Sequence, residues 1–148
     1  MEKIDFKNIG GFIAKLAQNA GINIESQNLE GVIINYKLPD NRHQRVWIKR
    51  LFIDEKRGLV IIGIFSPALS MPTGQQLGQE TANRLLRQNA TFAQCAWAID
   101  SGTDNNDYLV IMDTLIANFT QPEELIEAVE SAAILADDME KKLGQDVF

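Results

Sequence analysis

The chain has 148 residues, of which 45% are hydrophobic and 23% are charged, and this composition is typical of a single globular domain covering residues 1–148. Its 20 acidic residues outnumber its 14 basic ones and leave a formal net charge of −6. Because nucleic acids and anionic lipids bind clustered Lys and Arg side chains, this balance argues against nucleic acid and membrane surfaces as partners. No apolar run approaches the roughly 18 residues of a membrane span, and the start of the chain has no apolar segment of the signal-peptide kind. We therefore expect a cytoplasmic protein.

The first part of the chain predicts one helix and one strand. In residues 5–20 the apolar residues recur at spacings of three and four, which indicates an amphipathic helix that ends at Gly21. Gly10 and Gly11 would each destabilise such a helix by about 1 kcal/mol relative to Ala, so either the helix begins near Gly11 or it packs closely on another segment there. We favour the later start. In residues 32–38 apolar and polar residues alternate, which predicts a strand with one apolar face.

Residues 45–65 predict a β-hairpin around which the fold is organised. Its two halves are rich in β-branched and aromatic residues, and the polar turn at 54–58 ends with Gly58. Residues 59–65 are apolar at seven consecutive positions, counting Gly63, which is typical of a central strand. The connections between the first three strands are too short for a crossover helix, so these strands are predicted to form an antiparallel meander.

The second half of the chain predicts a helix and then a second hairpin. Thr73 with Gln76 three residues later has the form of a capping box, and the helix that it opens extends to about Asn89. Alternating apolar residues at 92–100 and a further apolar segment at 108–116 predict the fourth and fifth strands, joined by a loop of turn-forming residues.

The last predicted element is a long helix with one apolar stripe. Thr120 and Glu123 form a second capping box, and apolar residues from 125 to 143 then repeat at spacings of four and three. Ile134 lies about 180° from this stripe, on the outer side of the helix. The predicted order is therefore α-β-β-β-α-β-β-α, an α+β fold in which a five-stranded antiparallel sheet, a three-strand meander plus a hairpin, packs with three helices.

The residue types that carry catalysis are isolated in this sequence. His43 lies between Arg42 and Gln44 in a predicted polar turn, with no residue placed to orient its ring. Cys95, the only cysteine, alternates with apolar residues on a predicted strand and has no basic neighbour to favour the thiolate. The acidic loop near residue 104 lacks the ligand spacing of an EF-hand, and no glycine pattern of a phosphate-binding loop occurs. We therefore expect a protein that is not an enzyme and that holds no metal or cofactor.

The sequence has more apolar strand surface than three helices on one side of a sheet would cover. In the third and fifth predicted strands both alternating faces are apolar, and a second exposed face of this kind would need a subunit or a partner to cover it. A second possibility is that one helix lies on the far side and the sheet is buried twice. Under the first hypothesis the candidate contact residues for a protein partner or a dimer are Trp47, Val60, Ile62, Ile64, Leu109, Ile111 and Ile134.

This order of elements, together with the length and acidity of the chain, resembles the type III secretion chaperone-like fold, which effector chaperones share with the YbjN family. The similarity runs from residue 12 to residue 143 and is clearest in the segments LAQNAGI (16–22) and AWAID (96–100) and in the long final helix. It implies a small acidic protein that dimerises and holds extended protein segments. Because the end of the last helix lacks the tryptophan often found in effector chaperones, the YbjN-like branch is the closer match.

Two functional hypotheses follow. The first is a non-enzymatic, cytoplasmic protein-binding module, a homodimer that holds or regulates another protein as a chaperone-like or YbjN-like regulator. The alternative is a small-molecule-binding or enzymatic domain with a pocket between the sheet and the second helix, formed by Asp100, Tyr108 and Asp113.

Overall fold

The computed structural model describes residues 4–72, 74–102 and 104–143. Within these ranges the helices are α1 (Ile9–Asn19), α2 (Gln79–Asn89) and α3 (Pro122–Leu143). The strands are β1 (Ser26–Gln27), β2 (Gly31–Lys37), β3 (His43–Asp54), β4 (Leu59–Pro72), β5 (Ala96–Ser101) and β6 (Asn106–Ile116). The predicted α+β class is thus confirmed. The order of elements differs from the predicted one, because the short strand β1 follows α1 before the first predicted strand.

The described strands form one antiparallel sheet in the order β1-β2-β3-β4-β6-β5. The predicted meander (β2, β3 and β4) and hairpin (β5 and β6) are both present, and β4 is central as expected. The predicted number of five strands is wrong, because β1 adds a sixth strand at the edge through two residue pairs with β2. Two residues are too short to show an alternating pattern in the sequence.

Strand β4 continues well beyond the predicted end at Phe65, although it contains Pro67. Proline has no N–H to donate to a neighbouring strand, and the register of β4 against β6 shifts between Pro67 and Leu69, where a bulge accommodates it. The amide of the buried Gln44 stabilises this point, since its Nε2 donates to the Pro67 carbonyl (2.7 Å) and to Ser66 Oγ (3.1 Å). Pro67 therefore marks an irregularity inside the strand.

Helix α1 begins at Ile9, so the favoured prediction of a start near Gly11 is wrong. The other alternative, that the helix packs closely on another segment at these glycines, is the correct one. Asn8 caps the helix, with its Oδ1 accepting from the Gly11 N–H (2.9 Å). The Gly10 N–H donates to the Leu29 carbonyl (2.9 Å), and a Cβ at Gly10 would lie only 1.7 Å from the Asn28 carbonyl oxygen. The glycine thus lets α1 contact the backbone of the turn before β2.

The other two helices begin differently from their predicted capping boxes. Helix α2 begins at Gln79 after Gly78, whose position has no side-chain cap, while the predicted cap Thr73 lies outside the described residues. In α3 the box is displaced by one residue, because Glu124 Oε1 accepts from the Gln121 N–H (3.3 Å) and the Thr120 hydroxyl donates to the Ile116 carbonyl (2.8 Å).

All three described helices pack on the same face of the sheet. Helix α1 lies over β2 and β3, and α3 lies over β3, β4 and β6. Helix α2 reaches this face at the opposite edge, where Trp97 of β5 donates from Nε1 to Gln88 Oε1 (3.1 Å) and exchanges backbone hydrogen bonds with the side chain of Asn89. The possibility of a helix on the far side is therefore not realised within the described residues.

Strand β4 turns its alternate residues Val60, Ile62 and Ile64 toward the helices, and each is 0% exposed. They meet the apolar stripe of α3, which includes Leu125 and Val129. The other side of β4 carries Ile61, Gly63 and Phe65. The packing of the helices thus decides which face of β4 lies in the core. The sequence of β4 does not indicate this face, because it is apolar on both sides.

An ion pair attaches the end of α3 to the segment before β3. Arg42 donates to Asp137 Oδ1 (2.7 Å), and Lys141, one turn further along the helix, lies 3.2 Å from Oδ2 of the same carboxylate. Burial raises the pKa of Asp137, but the hydrogen bonds from Arg42 and Lys141 outweigh this effect and hold the pKa below its usual value.

Substitution of Ile62 by Asp should unfold the protein. The change removes a fully buried side chain and places a carboxylate among apolar residues, which costs more than about 4 kcal/mol. The matched control is Ile134→Asp, because Ile134 is 42% exposed on α3 and its variant should stay folded. Circular dichroism with urea unfolding measures both, and a folded Ile62→Asp protein of unchanged stability would mean that the faces of β4 are assigned incorrectly.

Substitution of Gly10 by Ala should destabilise the protein by about 2 kcal/mol, even though Ala favours helix formation. The new Cβ would overlap the Asn28 carbonyl, and backbone atoms cannot move aside cheaply. Gly78→Ala is the control, because a Cβ there meets nothing within 4 Å and the lower preference of Ala than Gly at a helix N-cap should cost at most about 1 kcal/mol. Urea unfolding measures the free energy of unfolding of both variants. Equal free energies would contradict the close packing assigned to Gly10.

Candidate functional site

The face of the sheet opposite the helices is concave. Lys49 Nζ on β3 lies 2.9 Å from Asp100 Oδ2 on β5, although β4 and β6 separate these two strands. In a flat sheet three strand spacings would place the two backbones roughly 14 Å apart. The sheet must therefore curl toward this side, and the ion pair crosses over the two intervening strands.

Aromatic side chains line the centre of the concave face. The ring of Phe65 lies over Gly63, where a Cβ would come within 2.3 Å of the ring. The Lys49 ammonium stands 4.6 Å from the centre of the same ring, and Trp47 packs edge to face on Tyr108 with ring centres 5.5 Å apart. Phe65 is only 3% exposed although no described helix covers it, because the curl of the sheet shields it.

A groove of about 460 Å³ opens on this face between the strands β1 to β3 and the turn that joins β5 to β6. One wall carries the cations and the aromatic ring of β3, and the other carries acidic and hydroxyl groups of the β5–β6 hairpin. The charged and aromatic side chains that line the groove are Glu30, Arg45, Trp47, Lys49, Asp100, Asp104 and Tyr108. Arg45, Trp47 and Lys49 occupy every second position of β3, so the alternation of the sequence places them on one side of the strand; of the three, only Trp47 was predicted as a contact residue.

Most of the charged groups in the groove have a partner. Lys49 pairs with Asp100, and Glu30 Oε2 lies 2.8 Å from Arg50 Nε. The Tyr108 hydroxyl donates to Asp104, and this hydrogen bond lowers the pKa of Asp104 and raises that of Tyr108. Within residues 4–72, 74–102 and 104–143, no carboxylate pairs with Arg45, an exposed residue that lines the groove.

At the other end of the concave face, near the β3–β4 turn, lies an exposed apolar patch. Phe52 is opposite Ile61 across β3 and β4, and Ile61 is opposite Ile116 across β4 and β6. Leu51 lies at the bulge of β3, with its Cδ1 3.0 Å from the position of a Cβ at Gly63. Leu51, Phe52 and Ile116 are 42%, 60% and 41% exposed, and we call these four residues, Leu51, Phe52, Ile61 and Ile116, the apolar patch.

The seven residues predicted as contacts are distributed over three places. Five of them, Val60, Ile62, Ile64, Leu109 and Ile111, lie in the core at 0–1% exposure, so a partner cannot reach them without displacing the helices. Trp47 is half-buried in the groove, and Ile134 is exposed on the outer side of α3. The helices cover the face of β4 and β6 that we predicted to contact a partner. The exposed apolar surface lies on the opposite face, which carries the intervening residues of these strands.

The residues of the alternative hypothesis are only partly brought together. Asp100 and Tyr108 line the groove on the concave face, away from α2. Asp113 is opposite Ile64 on the helical face, where burial raises the pKa of its carboxyl group. Burial, with the charge of Asp113, also raises the pKa of the half-buried Cys95 thiol, which disfavours a reactive thiolate. The predicted pocket between the sheet and the second helix therefore does not contain this set.

The described ranges contain no group of three or more His, Cys, Asp or Glu side chains placed to hold a metal ion. Within the same ranges no helix has both the length and the apolar character that crossing a membrane requires. His43 is exposed at the first position of β3.

Removal of the Tyr108 hydroxyl should change the titration of Asp104. The lowered pKa means that Asp104 contributes stability above the pKa of about 3.9 for an unfolded Asp, and that this contribution is lost as pH falls through the lower folded value. In Tyr108→Phe the pKa of Asp104 should rise toward the ordinary value, and the extra stability above about pH 4 should disappear. Tyr36→Phe is the control, and carboxyl-carbon NMR titration measures both; an unchanged Asp104 titration in Tyr108→Phe would contradict the assigned hydrogen bond.

The resemblance to the type III secretion chaperone-like fold rests on the order of elements and remains a prediction. No protein-family model matches this chain, and no curated protein matches it.

Proposed function

We propose that this protein is a non-enzymatic protein-binding module that holds an extended apolar segment of another protein on the concave face of its sheet. The observation that carries the proposal is the apolar patch, in which large side chains on three adjacent strands are exposed next to one another. Contiguous exposed apolar surface of this kind is typical of sites that bind another molecule.

The shape of the face favours a narrow partner segment over a second copy of the same face. Two concave surfaces cannot bring their centres into contact, whereas a single strand or helix is convex and fits between the walls. The patch spans three strands, roughly 10 Å across, which is wide enough to seat one extended segment. Such a segment would place alternate large side chains on Phe52, Ile61 and Ile116.

The expected homodimer and the cytoplasmic, chaperone-like or YbjN-like regulatory role belong to the same proposal. We place the contact between subunits on the outer side of α3, where Ile134 and Ile126 are 42% and 40% exposed. This surface faces away from the concave side, because α3 packs on the helical face of the sheet. A dimer formed there would leave both concave faces open to a partner.

Substitution of Phe52 by Asp should weaken the binding of an unfolded polypeptide at least tenfold. Phe52 is 60% exposed, so the variant should fold, but the carboxylate would have to be desolvated when an apolar segment binds. The probe is a fluorescently labelled protein kept unfolded by reduction and carboxymethylation, and its anisotropy is measured as the wild-type chain or a variant is added.

The matched control is Leu86→Asp, which places the same charge on α2 at a residue that is 66% exposed. We expect this variant to bind the unfolded probe as the wild type does. Equal binding by Phe52→Asp and the wild type, or no binding of the probe by the wild type, would overturn the assignment. Light scattering of the wild type and Ile134→Asp tests the dimer separately, with a monomer expected for the variant.

A further inference from the structure

The groove at the other end of the concave face has a different chemistry from the apolar patch. It combines a guanidinium that lacks an ionic partner among the described residues with two aromatic rings in edge-to-face contact. We propose that this groove binds a small monocarboxylate with a flat apolar body, whose carboxylate pairs with Arg45 and whose body packs on Trp47 and Tyr108. This site goes beyond the proposed protein-binding function and does not depend on it.

The size and lining of the groove suit a small molecule. Its volume of about 460 Å³ lies in the range of roughly 300–1,000 Å³ that small-molecule sites occupy. The Trp47 and Tyr108 rings meet at 86° and lie on neighbouring walls, so a flat group can pack on one ring while its edge meets the other. The Lys49–Asp100 ion pair closes the curl beside them and holds the two walls at a fixed separation.

The charges of the groove select the sign of the ligand. Lys49 and Glu30 are neutralised by Asp100 and Arg50, respectively. Arg45 lies on the same side of β3 as Trp47, two residues away, so their backbone positions are roughly 7 Å apart along the strand and both side chains line the groove. A guanidinium presents a planar fork of donors that matches a carboxylate with two parallel hydrogen bonds. The site therefore favours an anion held at one end of an apolar group.

The same groove disfavours a polyanion. The carboxylates of Glu30, Asp100 and Asp104 line it, and Asp104 stays ionised because its pKa is lowered. A second negative charge on the ligand would face these groups without a further unpaired cation in the described part of the groove. A monocarboxylate should therefore bind better than a dicarboxylate or a phosphate of the same size.

The test is a titration of the ¹⁵N-labelled full chain with phenylacetate, phenylacetamide and phthalate, followed by NMR. Phenylacetate should shift the Trp47 indole signal and the Arg45 Nε signal, with saturation at millimolar concentration. Phenylacetamide, which has the same shape and no charge, and phthalate, which carries two charges, should each bind at least tenfold more weakly. A charged hydrogen-bond pair accounts for a loss of about tenfold or more.

Three variants make the test specific. Arg45→Gln should weaken the binding of phenylacetate at least tenfold. Arg87→Gln, which changes an exposed arginine on α2, should leave the affinity for phenylacetate unchanged. Phe52→Asp should also leave phenylacetate binding unchanged, which separates this site from the apolar patch. Equal affinity for phenylacetate and phenylacetamide, an unaffected Arg45→Gln variant, or no shift of the groove signals by phenylacetate at millimolar concentration would each overturn the proposal.

Discussion

The structure depends on one constraint: the described helices all pack on one face of the sheet, so the opposite face must bury its apolar side chains without a covering layer. Curling of the sheet meets this constraint, because it brings β3 and β5 close enough for Lys49 to pair with Asp100. The curl shields Phe65 and leaves it 3% exposed. Gly63 makes room for the Phe65 ring, since any side chain there would occupy the same space. The concave shape, the groove and the patch all follow from this arrangement.

The two ends of the concave face differ in polarity, because different side chains surround the buried ring of Phe65 at each end. At the β3–β4 turn the neighbouring side chains are aliphatic or aromatic and remain exposed. Toward the β5–β6 turn the neighbouring side chains are charged or polar; Lys49 of β3 pairs with Asp100, and the Tyr108 hydroxyl donates to Asp104. Exposed apolar side chains favour a protein segment, whereas Arg45, which has no ionic partner among the described residues, favours a small anion. The two proposed sites thus lie on the same sheet surface and differ in their chemistry.

A buried polar cluster maintains the register of the central strands. Gln44 Nε2 donates to the Pro67 carbonyl and to Ser66 Oγ, and the Ser66 hydroxyl in turn donates to the Arg45 carbonyl (2.6 Å). Apolar contacts alone would tolerate a shift of β4 by two residues, because its residues are apolar on both faces. Since such a shift would leave these buried groups without partners, the cluster specifies one register next to the bulge.

The sequence by itself determined the class of fold, the order of the helices and the longer strands, the central position of β4 and the exposed side of α3 at Ile134. These depend on periodicity and on short connections, which are local properties of the chain. The length of β4 and the start of α1 were not determined, because Pro67 and Gly10 are explained by contacts with Gln44 and Asn28, which lie distant in the sequence. Only the tertiary structure decided which face of β4 the helices cover, since a strand that is apolar on both sides carries no information about its neighbours. For the same reason the groove could not be predicted: Arg45 and Trp47 are close in sequence, but Asp100 and Tyr108 reach them only through the curl of the sheet.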